Sequence, residues 1–215
     1  MNIWDYFLDL LYPPRCMLCR KVLRYMEKDF CTSCRQSLPK YMADGPRRDL
    51  KNVEICVAPF VYKEEIRSSL IRYKFHSVTA YASVYADFIA KSIDENGISC
   101  DIITWVPLSR RRLRRRGYDQ AGLIAHELAD KFGVPCEKLL TKVKENKRQS
   151  SIKNPEKRKV NVRGVYSYTS AFDVADKRVL LVDDIVTTGS TLSECASEIK
   201  KHGCSSVCAV AAASR

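Results

Sequence analysis

The chain has 215 residues, of which 46% are hydrophobic, and it can therefore bury one ordinary α/β core and a small appendage. No run of about twenty apolar residues is present, which excludes a membrane-spanning helix from the prediction. The formal net charge of +12 exceeds what solubility requires, and clustered arginines need anionic partners such as pyrophosphate, nucleic acid or a lipid headgroup.

The first twelve residues predict an amphipathic helix. Its apolar stripe consists of Trp4, Phe7, Leu8 and Leu11. A helix lying on a membrane surface is the alternative, but two aspartates and the lack of Lys or Arg favour packing against the protein. The segment also lacks a basic start and a small-residue cleavage site, so we expect the protein to stay in the reducing cytoplasm.

Two CxxC knuckles follow, formed by Cys16 with Cys19 and Cys31 with Cys34. Four cysteines at this spacing predict a closed, tetrahedral structural zinc site, whereas disulfides would be unusual in a reducing compartment. The segment from 13 to 39 has too few apolar residues to bury a core of its own. We therefore expect metal to supply its folding free energy, and metal removal to leave the α/β core intact.

Predicted strands and helices alternate through the rest of the chain. The predicted strands cover 54–62, 101–106, 178–182 and 206–211, and the predicted helices cover 64–75, 79–93, 121–132 and 192–199. This alternation predicts the α/β class, with a parallel sheet flanked by helices. The expected division is a zinc-ribbon segment over residues 1–45 and an α/β domain over residues 46–215.

Positive charge is concentrated in two segments. Six arginines occupy the seven positions from 110 to 116, in a predicted loop after the strand that ends at Pro107, and a second basic segment runs from Lys142 to Arg163. The loops that follow parallel strands lie at the same edge of the sheet. We therefore expect the arginine segment to face the loop that follows the strand at 179–182.

That later strand opens the most informative motif. Four apolar residues, 179–182, precede Asp183 and Asp184, and a hydroxyl-rich loop over 187–191 leads into a helix. Free N–H groups and hydroxyls at a helix N-terminus bind phosphate, and adjacent carboxylates accept hydrogen bonds from sugar hydroxyls or hold a ligand-bound magnesium ion. A sugar phosphate fits this motif better than a nucleoside triphosphate, because the GxxxxGK[ST] and GxGxxG patterns are absent. An acidic turn that merely caps the helix is the structural alternative.

The motif resembles the phosphoribosyl pyrophosphate (PRPP) motif of type I phosphoribosyltransferases. The resemblance implies that Asp183 and Asp184 contact the ribose and that the following loop holds the 5′-phosphate. The loop residues concerned are Thr187, Thr188, Gly189, Ser190 and Thr191.

A wider resemblance covers nearly the whole chain. The run Pro13 to Cys19, the triplet Tyr73 to Phe75, the segment Arg114 to Ala121 and the stretch from Gln149 to Tyr166 are similar to the ComF family of bacterial competence for DNA uptake. The resemblance implies a zinc ribbon joined to a phosphoribosyltransferase domain, with single-stranded DNA and other competence proteins as partners. Asp119 departs from the usual asparagine of that family and is a candidate for salt bridges with neighbouring arginines.

The activity expected from these patterns is Mg-dependent transfer of a phosphoribosyl group to an acceptor that the sequence does not identify. Asp183 and Asp184 are the predicted catalytic residues, and Arg110 and Lys74 are expected to face the pyrophosphate. Nucleic-acid contacts are predicted for Arg111, Arg112, Arg114, Arg115 and Arg116. The alternative is a protein that binds PRPP or single-stranded DNA without catalysis.

Overall fold

A computed structural model describes residues 12–42, 49–76, 78–144 and 164–215 of the chain. The predicted opening helix and most of the basic segment from Lys142 to Arg163 lie outside the described residues. The helices are α1 (Thr32–Ser37), α2 (Glu64–Phe75), α3 (Tyr81–Glu95), α4 (Arg110–Arg116), α5 (Gln120–Phe132) and α6 (Ser190–Lys200), and a 3-10 turn covers Leu38–Tyr41. The strands are β1 (Cys56–Val57), β2 (Phe60–Val61), β3 (Ile102–Trp105), β4 (Leu140–Lys142), β5 (Tyr166–Tyr168), β6 (Arg178–Val186) and β7 (Ser206–Ser214).

Five strands form one parallel sheet in the order β1, β7, β6, β3, with β2 also paired to β7. The two nine-residue strands β6 and β7 lie side by side at its centre, where both faces are covered. Such strands need apolar residues at nearly every position, which explains the runs of Val, Leu and Ala in this half of the chain. The predicted α/β class with a parallel sheet is confirmed.

The sheet separates two hydrophobic clusters. Along β6, Leu180 and Val182 join the cluster that contains α2, α3 and α5, whereas Val179 and Leu181 join the cluster beneath α6. The small antiparallel sheet of β4 and β5 packs with the second cluster. Alternate side chains of one strand point to opposite faces, so β6 connects both layers of the core.

Three predicted elements differ from the structure. Strand β6 continues to Val186, where Ile185 still pairs with Ala213 of β7, so the acidic pair lies within the strand rather than after it. The predicted arginine loop is the helix α4, whose first turn is capped by the hydroxyl of Ser109 and whose last turn ends at Gly117 with a φ of 82°. The predicted strand over 54–62 is divided into β1 and β2, which both pair with β7.

The first cysteine knuckle is part of the core. Met17 and Leu18 are each 2% exposed and belong to the cluster that contains α2 and α3. Phe30, which precedes the second knuckle, stacks edge-on against Phe88 of α3 with 6.0 Å between ring centroids. The small ribbon therefore buries its apolar residues against the α/β layer, and this packing differs from the independence expected from the sequence.

Candidate functional site

A cleft with a volume of about 330 Å³ opens at the edge of the sheet where β3 and β6 end. The acidic pair of β6, the loop that leads into α6, the side of α4 and the β4–β5 sheet form its walls. Its charged lining residues are Lys74, Arg112, Arg116, Asp119, Lys142, Asp183, Asp184 and Arg215. Open α/β folds bind ligands at this edge because the loops after parallel strands converge there.

The two carboxylates of β6 have different partners. Asp184 forms an ion pair with Lys74 at the end of α2, with 2.9 Å between Oδ2 of Asp184 and Nζ of Lys74. Both side chains are less than one-fifth exposed. Asp183 accepts a hydrogen bond from the backbone N–H of Asp184 at 2.7 Å. Burial, and then the negative charge of Asp184, raise the pKa of Asp183 well above its usual range. A cation, or the hydroxyls of a ligand, would favour the ionised form of Asp183 at this position.

The loop after β6 is built around Gly189, which caps α6 with a φ of 71°. Thr188 and Ser190 share a hydrogen bond of 2.8 Å between their hydroxyls, and all five residues from Thr187 to Thr191 line the cleft. The first N–H groups of an α-helix have no partner within the helix, and here they accompany a row of hydroxyls. The arrangement offers donors to an anionic oxygen group.

We expect Gly189→Ala to destabilise the protein by about 1–3 kcal/mol. A Cβ at this position would lie 2.1 Å from Cδ2 of Leu50, and the backbone conformation disfavours side chains. Denaturant unfolding of the single variants and of Gly189→Ala/Leu50→Ala measures the two contributions. The cost of the alanine should fall, without vanishing, when Leu50 is shortened; an equal cost in both backgrounds would contradict the contact.

Helix geometry divides the arginines of α4 between two faces. Arg112 and Arg116, one turn apart, are half-buried and line the cleft, whereas Arg110, Arg111, Arg114 and Arg115 are exposed outside it. The structure thus places Arg110, predicted to face pyrophosphate, on the outer face. It places Arg112 and Arg116, predicted to contact nucleic acid, at the cleft.

Arg116 is held by two neighbours. Its guanidinium donates to Oε1 of Gln120 at 2.5 Å and lies 4.9 Å from the centre of the Phe75 ring. Burial lowers the pKa of Arg116, although an arginine remains charged in proteins. A cation anchored in this way presents a fixed positive charge to the cleft.

Asp119 has a structural position at the base of the same wall. Its carboxylate accepts hydrogen bonds from the backbone N–H of Leu108 at 2.9 Å and of Gly122 at 3.5 Å, and it caps the start of α5. Burial raises the pKa of Asp119. The carboxylate therefore fixes the turn between β3 and α4 to the start of α5, a role that the sequence did not indicate.

Other residues of the cleft, among them Lys142, Tyr166 and Arg215, were not assigned to the site from the sequence. Lys142 is the first residue of the predicted basic segment and lies 5.3 Å from the ring centre of Tyr166 across the β4–β5 pair. Arg215 donates its backbone N–H to Val186 at the end of β6. The pairing of Arg215 with a strand end distant in sequence gives no local sequence signal.

The four knuckle cysteines form a metal-binding geometry. Their Sγ atoms all lie within 4.8 Å of one another, and the sulfurs of Cys19 and Cys31 are 3.6 Å apart. A tetrahedral zinc ion with Zn–S bonds of about 2.3 Å places its sulfurs about 3.8 Å apart. Burial raises the pKa of Cys16, but hydrogen bonds from the backbone of Cys31, Cys19 and Leu18 outweigh it and lower the pKa to about 7. The donor set fits a closed structural zinc site.

Within the described ranges, no helix combines the length and the apolar composition that crossing a membrane requires.

Comparison with known proteins finds two families. The phosphoribosyl transferase domain matches residues 117–215, and the double zinc ribbon domain matches residues 7–46. Competence protein F of Haemophilus influenzae is 35% identical over 100 residues, which cover 46% of this chain and 43% of that protein. Competence protein ComFC of Streptococcus pneumoniae is 28% identical over 150 residues, covering 70% of this chain and 64% of that protein.

Among solved structures, the glutamine PRPP amidotransferase of B. subtilis in complex with ADP and GMP is similar at 22% identity. The match covers 66% of this chain and 30% of that one, with a TM-score of 0.44. The matched part of this chain therefore spans less than two thirds of each of these three proteins.

Proposed function

We propose that the chain binds PRPP with magnesium and transfers the phosphoribosyl group in a process of DNA uptake or utilisation. The chain is a homologue of the ComF and ComFC competence proteins, and it carries both a double zinc ribbon and a phosphoribosyl transferase domain. One observation carries the proposal. The acidic pair, the hydroxyl-rich helix N-terminus and two arginines line the same cleft. These are the groups needed for ribose hydroxyls, a 5′-phosphate and a pyrophosphate.

Each part of the ligand has a proposed partner. Asp183 and Asp184 accept the ribose hydroxyls and are the residues that would hold magnesium, whose charge neutralises the pyrophosphate. The five loop residues, 187–191, donate to the 5′-phosphate. Arg112 and Arg116 replace Arg110 as the proposed pyrophosphate contacts, because they are the arginines that face the cleft.

Lys74 has a double role in this proposal. Without ligand its ammonium neutralises Asp184 at 2.9 Å. When Asp184 turns to the ribose, the ammonium becomes available to the departing pyrophosphate, which leaves with the electron pair of its bond to the anomeric carbon. Fixed cations placed where negative charge develops lower the barrier to such a departure.

The test is release of pyrophosphate from PRPP in the presence of magnesium, screened across purines, pyrimidines and amines. Release that depends on one class of acceptor supports transfer and identifies the acceptor. Calorimetric binding of PRPP with no release across the screen would leave a PRPP-binding protein and reject transfer to these classes. No binding would reject the proposal.

We expect the affinity for PRPP with magnesium to rise about fivefold between pH 7 and 8, to rise by about another twofold above pH 8, and then to level off. Burial and the charge of Asp184 raise the pKa of Asp183 to about 8, so the empty site holds a proton below that pH. The ligand requires the ionised carboxylate, so binding releases the proton, and rising pH favours binding. The phosphates of PRPP are already ionised in this range. Calorimetry in buffers of different ionisation enthalpy counts the protons, and no release at pH 7 would contradict the assignment.

A second candidate function, binding of single-stranded DNA, is favoured by the outer face of α4. Four of its six arginines are exposed away from the cleft, namely Arg110, Arg111, Arg114 and Arg115. Two or three arginines saturate the oxygens of a pyrophosphate, and the exposed Arg110, Arg114 and Arg115 add positive charge outside the cleft that favours contact with another polyanion. A further relative, DNA utilization protein YhgH of Salmonella typhi, is 32% identical over 108 residues, and its name refers to DNA.

We expect Arg114→Gln/Arg115→Gln to flatten the salt dependence of single-stranded DNA binding by about 1.4 in the slope of log K against log salt, since each phosphate contact contributes about 0.7. PRPP affinity should not change, because both residues lie outside the cleft. The control is Lys91→Gln/Lys138→Gln, which removes the same charge from exposed positions elsewhere. Equal slopes for both double variants, measured by fluorescence anisotropy, would show that the effect is one of net charge alone.

The expected division into a ribbon segment over 1–45 and a transferase-like domain over 46–215 remains our proposal. We also propose the reducing cytoplasm as the compartment, because zinc binding requires the four knuckle cysteines as thiolates.

A further inference from the structure

We infer that Arg72 is a positioning residue that connects the cysteine knuckle to the ligand cleft through the last turn of α2. The inference rests on the proposed function, since the ligand whose binding it affects is PRPP. Its structural basis is a set of contacts made by four consecutive residues at the end of α2.

Arg72 holds the backbone of the first knuckle. One nitrogen of its guanidinium, Nη2, donates to the carbonyl of Met17 at 2.6 Å and to that of Leu18 at 2.8 Å. Both carbonyls belong to residues between Cys16 and Cys19, the first pair of predicted zinc ligands. With zinc bound, four thiolates and one divalent cation leave a net charge of about −2, which attracts a guanidinium beside the knuckle.

Holding Arg72 against the knuckle carries an energetic cost, because part of its guanidinium is buried without a hydrogen bond to any described residue. Its Nε is buried and finds no hydrogen-bond partner within the described parts of the chain. A buried donor without a partner destabilises the folded state. The two carbonyl contacts and the charge of the knuckle are the interactions that offset this cost, so the position of Arg72 depends on the knuckle.

Of the next three residues, Tyr73 binds the segment at the start of α5, whereas Lys74 and Phe75 contact residues that line the cleft. Tyr73 donates its hydroxyl to the carbonyl of Gln120 at 2.7 Å and accepts a hydrogen bond from the hydroxyl of Tyr118 at its own carbonyl. Lys74 contacts Asp184, and the ring of Phe75 lies under the guanidinium of Arg116. Successive residues of a helix point about 100° apart, so one turn contacts the knuckle and the cleft at the same time.

The last turn of α2 thus sets the position of two proposed ligand contacts, the ammonium of Lys74 and the guanidinium of Arg116. A displacement of this turn by about 1 Å would separate Lys74 from Asp184 and move Phe75 from beneath Arg116. Loss of the knuckle geometry removes the acceptors of Arg72 and releases the turn. The occupancy of the knuckle by zinc should therefore affect the affinity of the cleft for PRPP.

The rival view is that Arg72 serves only to stabilise the fold. Helix α2 is also anchored by Ile66 and Leu70, which are at most 1% exposed. If these anchors suffice to place the last turn, removal of Arg72 costs stability without any specific effect at Lys74. The two views differ in whether the effect of Arg72 passes through Lys74.

The experiment compares PRPP binding, in the presence of magnesium, for the zinc-loaded full chain and for Arg72→Met, Lys74→Met and the double variant. We expect Arg72→Met to keep its zinc and its fold while its affinity falls by about fivefold to tenfold. The loss should become smaller in the Lys74→Met background, because the turn then has no ammonium to position and acts only through the contact of Phe75 with Arg116. Arg72→Lys should recover part of the affinity. The matched control is Arg67→Met, an exposed arginine of the same helix, which should bind normally.

Hydrogen exchange of the amides in the last turn of α2 gives a readout without ligand. Faster exchange in Arg72→Met than in Arg67→Met, together with the non-additive loss of affinity, supports the inference. Normal PRPP affinity in a folded Arg72→Met protein, or losses that add fully with those of Lys74→Met, would overturn the inference and leave the proposed function standing. If the unaltered protein does not bind PRPP, the proposed function fails. In that case hydrogen exchange still tests whether Arg72 holds the last turn of α2. Equal exchange rates in Arg72→Met and Arg67→Met would reject that role.

Discussion

Replacing Asp183 and Asp184 together by asparagine is expected to weaken the binding of PRPP with magnesium at least a hundredfold. Each carboxylate would lose a charge-assisted hydrogen bond or a metal contact, and such interactions contribute about 1.5–3 kcal/mol each. Two of them amount to more than two orders of magnitude in affinity.

The fold should survive this change, because asparagine retains the oxygen that Asp183 uses to accept the N–H of Asp184. Burial and the charge of Asp184 raise the pKa of Asp183 above its value in the unfolded chain. The ionised form is thus disfavoured in the folded state. Stability associated with the protonated form is present at low pH and is lost as pH rises through about 8. Above that pH, removal of the ionised Asp183 should therefore offset part of the stability lost when Lys74 is left without Asp184, its ion-pair partner at 2.9 Å.

Calorimetry measures the affinity, and thermal unfolding establishes that the variant is folded. Asp94→Asn provides the control, since Asp94 is an exposed carboxylate of α3 away from the cleft. Unchanged affinity in the folded double variant would remove the acidic pair from the site. A loss of the same size in Asp94→Asn would indicate an effect of net charge.

The parts of the site that could be predicted are those encoded by neighbouring residues. Asp183, Asp184 and the loop from Thr187 to Thr191 are contiguous, so the end of a strand and the start of a helix are sufficient to bring them together. The paired knuckles are similar, because the spacing within each CxxC motif nearly fixes the distance between its two sulfurs. Local geometry was enough in both cases.

The parts that could not be predicted depend on contacts between distant segments. Lys74 was assigned to the site by resemblance, but its pairing with Asp184 is a contact over more than a hundred residues. The division of the arginines required knowing that α4 is a helix, since a loop does not place Arg112 and Arg116 on one face. The sequence suggested that Asp119 pairs with arginines, whereas in the structure its carboxylate accepts from the backbone N–H of Leu108 before α4 and of Gly122 in α5.

The packing of the knuckle was also hidden from the sequence. A segment with few apolar residues suggests an independent metal-dependent unit, and Met17 and Leu18 alone cannot form a core. In the structure they complete a core supplied by α2 and α3. Whether a short apolar pair is exposed or buried depends on the surface against which it packs, and that surface lies elsewhere in the chain.

Removing the proposed zinc ligand Cys19 should therefore destabilise the whole protein. We expect Cys19→Ser to lose its zinc and about 4 kcal/mol of stability, the value for a ligand present at a thousand times its dissociation constant. This is a large fraction of the stability of an ordinary domain. Cys19 is exposed, so its replacement removes a ligand without opening a cavity in the core.

The loss should appear as a shift of the single main unfolding transition, because Met17, Leu18 and Phe30 share the core of α2 and α3. Elemental analysis gives the zinc content, and calorimetric unfolding gives the transition. Cys204→Ser is the matched control, since Cys204 is half-buried and lies outside the cysteine cluster. A zinc-free Cys19→Ser protein whose main transition stays in place, with a separate early transition for the ribbon, would show that the ribbon folds independently. In that case the contacts of Arg72 with the knuckle could not transmit the zinc state to the cleft.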